Sequence, residues 1–468
     1  MSNAGIVTTA YISNNVDDGL IVIDSFISYH LSIGFKHIYI FWDDINIDIN
    51  SDTYNYLIKL QKYYTMKCIT IIFRNEQLLT LYQKYCSKYN ELLQYMDQEV
   101  QARQTLNAEL ALRLSEIINR NNSIELGIGL YDNELNWLLH IDIDEIFYIN
   151  DDNIDNHFNY LDSMGIHSMT YMNHEGVPEI YDTNDYFLST TLFRRHHFSL
   201  PITSNIDSAL SYWKNRTQYS QYFLVYDNGK SVVKLNVNAI PKDVHRWYSN
   251  NSDFNRKTAI ADPRNLCVNE LLILNSGPFI LHYVTCGFRW LTDKYKILGN
   301  FPDYWFGGLL PIAPSFHLKS RDVINKSDIA KEYYKKEIMF SLETFNGDNK
   351  LYEEEYRRQL DNQILMRITK VSEVIKKDRE MRCLQLGIQI NDNLIKDNSM
   401  NDNPIKDIAM NDIAMNVNPI KDVNTNIQTN EISEQINNNS TNTPVDNNGN
   451  IAEMDKLRIL SQVSQMWF

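Results

Sequence analysis

The sequence predicts an α/β protein that opens on a parallel sheet, and three observations carry that expectation. Two short apolar runs, 5–12 and 37–42, bracket a helix-patterned stretch. A third, WLLHIDI at 137–143, is apolar except at His140 and Asp142, the pattern of a strand buried on both faces. Each run stops at polar or acidic residues, and in such sheets ligands gather where the carboxyl ends of strands meet the loops.

Taken in order, Gly5 to Ile12 reads as the first strand and Gly19 to Ser32 as an amphipathic helix stopped near Gly34. His37 to Trp42 is the second strand, ending on Asp43-Asp44. Between Asn75 and Arg120 a long polar and aromatic stretch with few breakers predicts two helices, the second from about Glu99 to Ile118. Trp137 to Ile143 is the next strand. Further strands and irregular loops are expected from Ser168 to Lys234. They include Asp185 to Phe193 and a hairpin over Val225 to Val233, turned by Asp227-Asn228-Gly229. Val244-His245 and Ile280-Leu281-His282 close the core, and beyond Pro314 the pattern becomes helical over Ile329 to Phe340 and Tyr352 to Val374.

Residues 391–450 change character: Asn, Asp, Ile and Met dominate, a degenerate unit recurs in NDNLIKDNSM and NDNPIKDIAM, and aromatics are absent. Such a segment buries too little apolar area to offset chain entropy, so a disordered Asn-rich tail is expected. A short helix is expected over 451–468. The organisation read from the sequence is a sheet domain over 1–315, a helical extension over 316–390, and the tail.

At 468 residues and 43% hydrophobic content the chain can bury a large core. A formal net charge of -15 without a basic cluster argues against nucleic acid as a partner. Cys68, Cys86, Cys267, Cys286 and Cys383 form no CxxC pair, which points away from zinc knuckles and disulfide frameworks and toward a reducing compartment. No basic segment followed by an apolar run opens the chain, and no stretch approaches the roughly 20 apolar residues that cross a bilayer. A cytoplasmic protein with no transmembrane segment is expected.

In WLLHIDIDEIF, alternation along a strand projects Asp142 and Asp144 from one face. Two carboxylates in one small volume repel unless protons, bases or a hard cation compensate, and an oxygen-lined site suits Mg²⁺ or Mn²⁺. Glu145 adds a third acidic group. A cation in that place can hold the phosphates of a nucleoside diphosphate sugar and stabilise the departing diphosphate.

Four phrases occur in order over roughly residues 5 to 300: FISYHLSIGFKHIYIFWDD, WLLHIDIDEIF, GKSVVKLNV with Val244-His245 shortly after, and ILHYVTCGFRWLTDKYKILG. The ordered set resembles glycosyltransferase family 92 and its family 2-like relatives. The resemblance implies a GT-A fold, a Rossmann-like mixed sheet flanked by helices, with the donor bound in its N-terminal half and the acceptor in its C-terminal half. It implies a metal-dependent transfer of a hexose, with galactose the suggested sugar, from a UDP-linked nucleotide-sugar donor to a glycan or protein acceptor. It places Asp142 and Asp144 in the metal-binding DxD and His282 in the metal shell, and neutral imidazole favours Mn²⁺ over Mg²⁺. It assigns Asp43 and Asp44, with Asn14, to the nucleoside. Lys230, Lys234, His245 and Lys294 fall to the diphosphate, Lys234 and Lys294 lying in the matching motifs.

An inverting transfer needs a carboxylate to take the acceptor's proton, and Glu175, Glu179 and Asp243 stand in suitable loops. His174-Glu175 departs from the Phe-Gly of the relatives, which leaves acceptor recognition and the base open. Two other classes compete: a metal-dependent phosphoesterase using the same carboxylates on water, and a non-catalytic glycan-binding protein whose tail recruits partners.

Overall fold

The computed structural model describes residues 2–11, 16–64, 68–120, 134–151, 153–201, 206–216, 222–260, 278–308, 310–312 and 315–385. Asn14, Cys267 and the expectations for 391–450 and 451–468 lie outside them.

The strands β1 (Ala4–Ala10), β2 (His37–Trp42) and β3 (Ile69–Phe73) run parallel, linked by α1 (Val16–Ser32) and α2 (Asp52–Tyr63). They read as unbroken apolar runs because both faces are covered. Ile6, Ile38 and Ile40 face Phe26 and Leu57 on one side, while Val7, Tyr39 and Phe41 face Leu106 and Leu110 on the other. Each such buried side chain contributes about 1.5–3 kcal/mol. The second layer is built from α3 (Glu76–Tyr85), the short α4 (Tyr89–Leu92) and α5 (Val100–Arg120); Asn75 caps α3 by accepting from Leu78 N.

Next, β4 (Trp137–His140) lies on the other side of β1 from β2. The order β3-β2-β1-β4 therefore reverses direction of growth between β1 and β4, a topological switch point that opens a crevice at the strands' carboxyl ends. The strand expected to reach Ile143 stops at His140. A turn then leads into β5 (Glu145–Tyr148), which belongs to a second sheet. Asp142 and Asp144 are thus placed by a turn between two sheets and not by strand alternation.

The chain continues through α6 (Asp155–Ser163), β6 (Ser168–Tyr171), β7 (Asn173–Gly176), α7 (Tyr186–Ser189), β8 (Leu192–Arg194) and α8 (Ile206–Lys214). Only one arm of the expected 225–233 hairpin is a strand: β9 (Lys230–Lys234) inserts between β4 and β6, antiparallel to both. The turn before it requires glycine, since Gly229 has φ +67° and a Cβ there would sit 2.0 Å from the Tyr171 carbonyl oxygen.

A ribbon of β10 (Ile240–Pro241) and β11 (Trp247–Tyr248) and the short α9 (Ser252–Arg256) precede β12 (Thr258–Ile260), which ends the large sheet at order β12-β6-β9-β4-β1-β2-β3. The fold is thus a large mixed sheet flanked by helices, as the sequence predicts. In the second sheet, β13 (Phe279–His282) lies between β7 and β5 and sets His282 opposite Glu145.

Then come α10 (Phe288–Leu298), the ribbon of β14 (Tyr304–Trp305) and β15 (Leu310–Pro311), α11 (Ser315–Ile324), α12 (Ser327–Tyr333) and α13 (Asn349–Asp361). The helix expected over 352–374 is broken, because β16 (Leu365–Arg367) pairs with β8 at the edge of the second sheet. The last described helix, α14 (Lys370–Gln385), lies along α1, where the Arg382 guanidinium donates to both oxygens of Asp24 at 2.8 and 2.9 Å. The region read as an extension thus packs on α1 and adds an edge strand to the second sheet. Among the described residues no helix is long and apolar enough to cross a membrane.

Candidate active site at the switch point

The turn after β4 is closed by its own hydrogen bonds. Asp142 N donates to Glu145 Oε2 at 2.7 Å, and Glu145 N donates to Asp142 O at 3.0 Å. Tyr283 N, just beyond β13, donates to Asp144 O at 2.9 Å and ties the turn to the second sheet. Both aspartate side chains are left facing the crevice beside β9, α5 and α10, whose side chains meet them.

Asp142 accepts from Gln104 Nε2 of α5 at 2.7 Å and from Lys230 Nζ of β9 at 2.9 Å. Lys230 also donates to Val244 O at 3.3 Å, stands 3.7 Å from Glu145 Oε2, and lies over the Tyr226 ring. Asp144 accepts from Lys294 Nζ of α10 at 2.9 Å, and its other oxygen lies 3.8 Å from His282 Nε2. Tyr226 is central: its hydroxyl donates to Glu145 Oε1, and its ring packs between His245 and His282 at centroid distances of 4.5 and 4.8 Å.

The charges follow from these neighbours. Burial pushes the Asp142 carboxyl up, but Lys230 beside it wins and holds it far below the usual range. Asp144 is likewise lowered, burial being outweighed by Lys294 and His282. Glu145 goes the other way: burial, reinforced by Asp142, pushes it up to about 8, so it keeps its proton at neutral pH. Burial lowers His282 to about 4 and His245 well below its ordinary value, so both imidazoles are neutral. Two carboxylates and two lysines thus balance at neutral pH.

Several predicted residues lie elsewhere. Lys234 sits at the opposite end of β9 from Lys230 and pairs with Asp162 at 2.6 Å beside the Trp137 ring. Four residues along a strand separate it by about 13 Å from Lys230, the lysine that meets Asp142. Glu175 is wholly buried, ion-paired to Arg194, and accepts from Leu224 N and Val225 N at 3.0 Å each. With its lone pairs taken it cannot serve as a base; it anchors the segment carrying Tyr226. Asp243 is exposed and caps a turn by accepting from His245 N and Arg246 N at 2.7 and 2.9 Å. Glu179 forms a bidentate pair with Arg367.

Asp43, at the carboxyl end of β2, is gripped by Arg103 through two short bonds, Nε–Oδ1 and Nη2–Oδ2 both 2.7 Å, with Arg74 3.7 Å away. Asp44 caps its own loop through Asn46 N at 2.9 Å. Gln104, Arg103 and Tyr226 carry no motif that would mark them in the sequence. The Asp227-Asn228-Gly229 turn was the one local sign that Tyr226 stands at a bend.

A divalent cation fits part of this arrangement. Among the described residues the buried Nδ1 of His282 has no hydrogen-bond partner, and a cation at its other ring nitrogen would leave it so. His282 Nε2 stands 3.8 Å from Asp144 Oδ1, so a nitrogen and an oxygen that could both serve as ligands of a divalent cation face each other. Asp142, Asp144 and His282 are not drawn together as a trio. The described set whose three ligand atoms all lie within 4.8 Å of one another is His196, His197 and Asp227, at a separate turn.

No protein-family profile matches the chain. Over 136 residues it is 25% identical to a glycosyltransferase-like protein of Arabidopsis thaliana, a stretch covering 28% of this chain and 29% of that protein. Among solved structures it is similar to core-mannan synthase A of Aspergillus fumigatus in its Mn/GDP form, at 11% identity and a TM-score of 0.20, over 39% of this chain and 45% of that one. It is also similar to the mannosyltransferase Ktr4p of S. cerevisiae in complex with GDP, at 11% identity and a TM-score of 0.17, over 49% and 50% of the two chains. The chain thus spans half or less of the length of each of these three proteins.

Proposed function

We propose that the chain is a GT-A-type glycosyltransferase that takes a hexose from a UDP-linked sugar and passes it to a glycan or protein acceptor, with the Asp142–Asp144 turn as its donor site. One observation carries the reading. At the sheet's switch point a carboxylate oxygen of Asp144 is left facing a neutral histidine, and among the described residues no donor reaches it within hydrogen-bond distance. Ordered motifs over residues 5 to 300 and the likeness to a glycosyltransferase-like protein support it.

In this reading Asp144 and His282, with Asp142 behind them, would hold a divalent cation, Mn²⁺ in preference to Mg²⁺, which supplies positive charge against the departing diphosphate. The chain's own residues do the rest. Lys230, locked beneath Asp142, keeps a fixed positive charge under the site and needs no rearrangement when negative charge develops above it. Tyr226 and protonated Glu145 hold the floor neutral. Gln104 fixes the Asp142 rotamer from α5. The Arg103–Asp43 clamp shapes the end of β2, where a nucleoside would lie.

The test is UDP release from a panel of nucleotide sugars, with and without Mn²⁺, repeated on Asp144→Ala. Release by the parent protein that survives unchanged in the variant refutes the role given to Asp144. Binding of donor without turnover favours a glycan-binding protein instead.

A further inference from the structure

The two lysines that neutralise the aspartates are held in different ways. Lys230 is fully buried, and its ammonium touches Asp142, Glu145, a backbone carbonyl and an aromatic face. It cannot leave without stranding a charge in the interior. Lys294 is 32% exposed on α10, and among the described residues its one hydrogen bond runs to Asp144 Oδ2. An ammonium on a flexible four-carbon stem can let go of such a partner and reach another.

We propose that Lys294 is an exchangeable counter-charge: it neutralises Asp144 while the site holds no cation, and it moves to the donor's diphosphate when a divalent cation takes Asp144. This rests on the donor-site reading above and adds a coupling to it. Were Asp144 and His282 to hold a divalent cation, the Lys294 ammonium hydrogen-bonded to the same carboxylate would be repelled. Of the two lysines only Lys294 can yield, because the other positive charge is enclosed. The diphosphate then offers the displaced ammonium new oxygens in the same crevice. The lysine therefore opposes the cation in the empty site and favours the nucleotide in the loaded one. Cation and nucleotide are thereby made to bind together, each weakly alone.

Opposite signs in one variant provide the test. Mn²⁺ alone is titrated into the full chain by calorimetry, and then UDP and GDP are titrated in the presence of Mn²⁺, for the parent protein, Lys294→Met and Lys294→Arg. Lys294→Met is expected to bind Mn²⁺ alone about 10-fold more tightly than the parent, because a competing charge is gone. The same variant is expected to bind nucleotide about 10-fold more weakly. Lys294→Arg keeps the charge and should restore both affinities to within about 3-fold. If Lys294→Met leaves Mn²⁺ binding unchanged or weaker while the parent binds nucleotide, the exchange is overturned and the donor-site reading stands. If the parent binds neither UDP nor GDP with Mn²⁺ present, the donor-site reading falls and the exchange falls with it.

Discussion

Two buried carboxylates lie one strand apart in the second sheet's neighbourhood, and they behave oppositely. Glu175 on β7 is fully enclosed, paired to Arg194 whose guanidinium also lies 4.3 Å from the Trp213 ring, and saturated by two backbone N–H groups. Asp144 is 16% exposed, has one lysine donor, and turns its remaining oxygen to a neutral imidazole. A saturated carboxylate holds structure together; one with spare acceptor capacity at a crevice is free to bind. The distinction lies in what reaches each oxygen, since both groups are acidic and buried.

The largest effect should come from breaking the saturated pair. Glu175→Ala leaves Arg194 buried without its partner and should cost about 3–5 kcal/mol of stability, read from urea unfolding. An unchanged midpoint would erase the contrast. Asp144→Ala should do the reverse, lowering turnover about 100-fold or more while shifting the unfolding midpoint little. Gly229→Ala, beside Lys230, forces a Cβ into the Tyr171 carbonyl and should cost about 1–3 kcal/mol, lowering donor affinity along with stability. Tyr226→Phe should have the smallest effect, about 1 kcal/mol of stability from one lost hydrogen bond to Glu145; a loss as large as that of Glu175→Ala would place Tyr226 with the structural anchors.

Acidity sharpens the same contrast. Burial holds His30 and His174 at about 3 and His282 at about 4, below the ordinary 6.5. As pH falls the unfolded chain binds protons first, so their contribution is complete above about 6.5 and is lost progressively toward 4 and below. Glu145 has the opposite sign: raised to about 8, it makes the fold lose stability as pH climbs from about 4.5 to 8. The expected profile of unfolding midpoint against pH falls steeply below 6 and gently toward 8. A midpoint flat between pH 4 and 6 would contradict the burial of these imidazoles.

How much the sequence revealed depended on whether a pattern has direction. The strand at His37 to Trp42 was legible to the residue, because helices cover both faces of a strand flanked by two parallel neighbours and the apolar run ends where the burial ends. The acidic turn was legible as a cluster of carboxylates but not as geometry. Its shape comes from pairing Glu145 with His282, a partner that lies far along the chain. Lys230 and Lys234 share one face of β9, and a period of two reads the same in both directions. Only the antiparallel insertion of that strand decides that Lys230 meets Asp142. Glu175 was misread because a glutamate sealed against an arginine and one open to solvent are written alike. Gln104 and Arg103, one turn of α5 facing the crevice, belong to residue types that fill most exposed helix faces.

The clasp between α1 and α14 bears on how the molecule is made. Asp24 and Arg382 are separated by 358 positions, so a ribosome exposes the first long before it supplies the second. At ordinary elongation rates the wait is roughly 20 to 70 seconds. Until then the side of α1 that α14 covers waits for its partner, and the docking of α14 closes it late in synthesis.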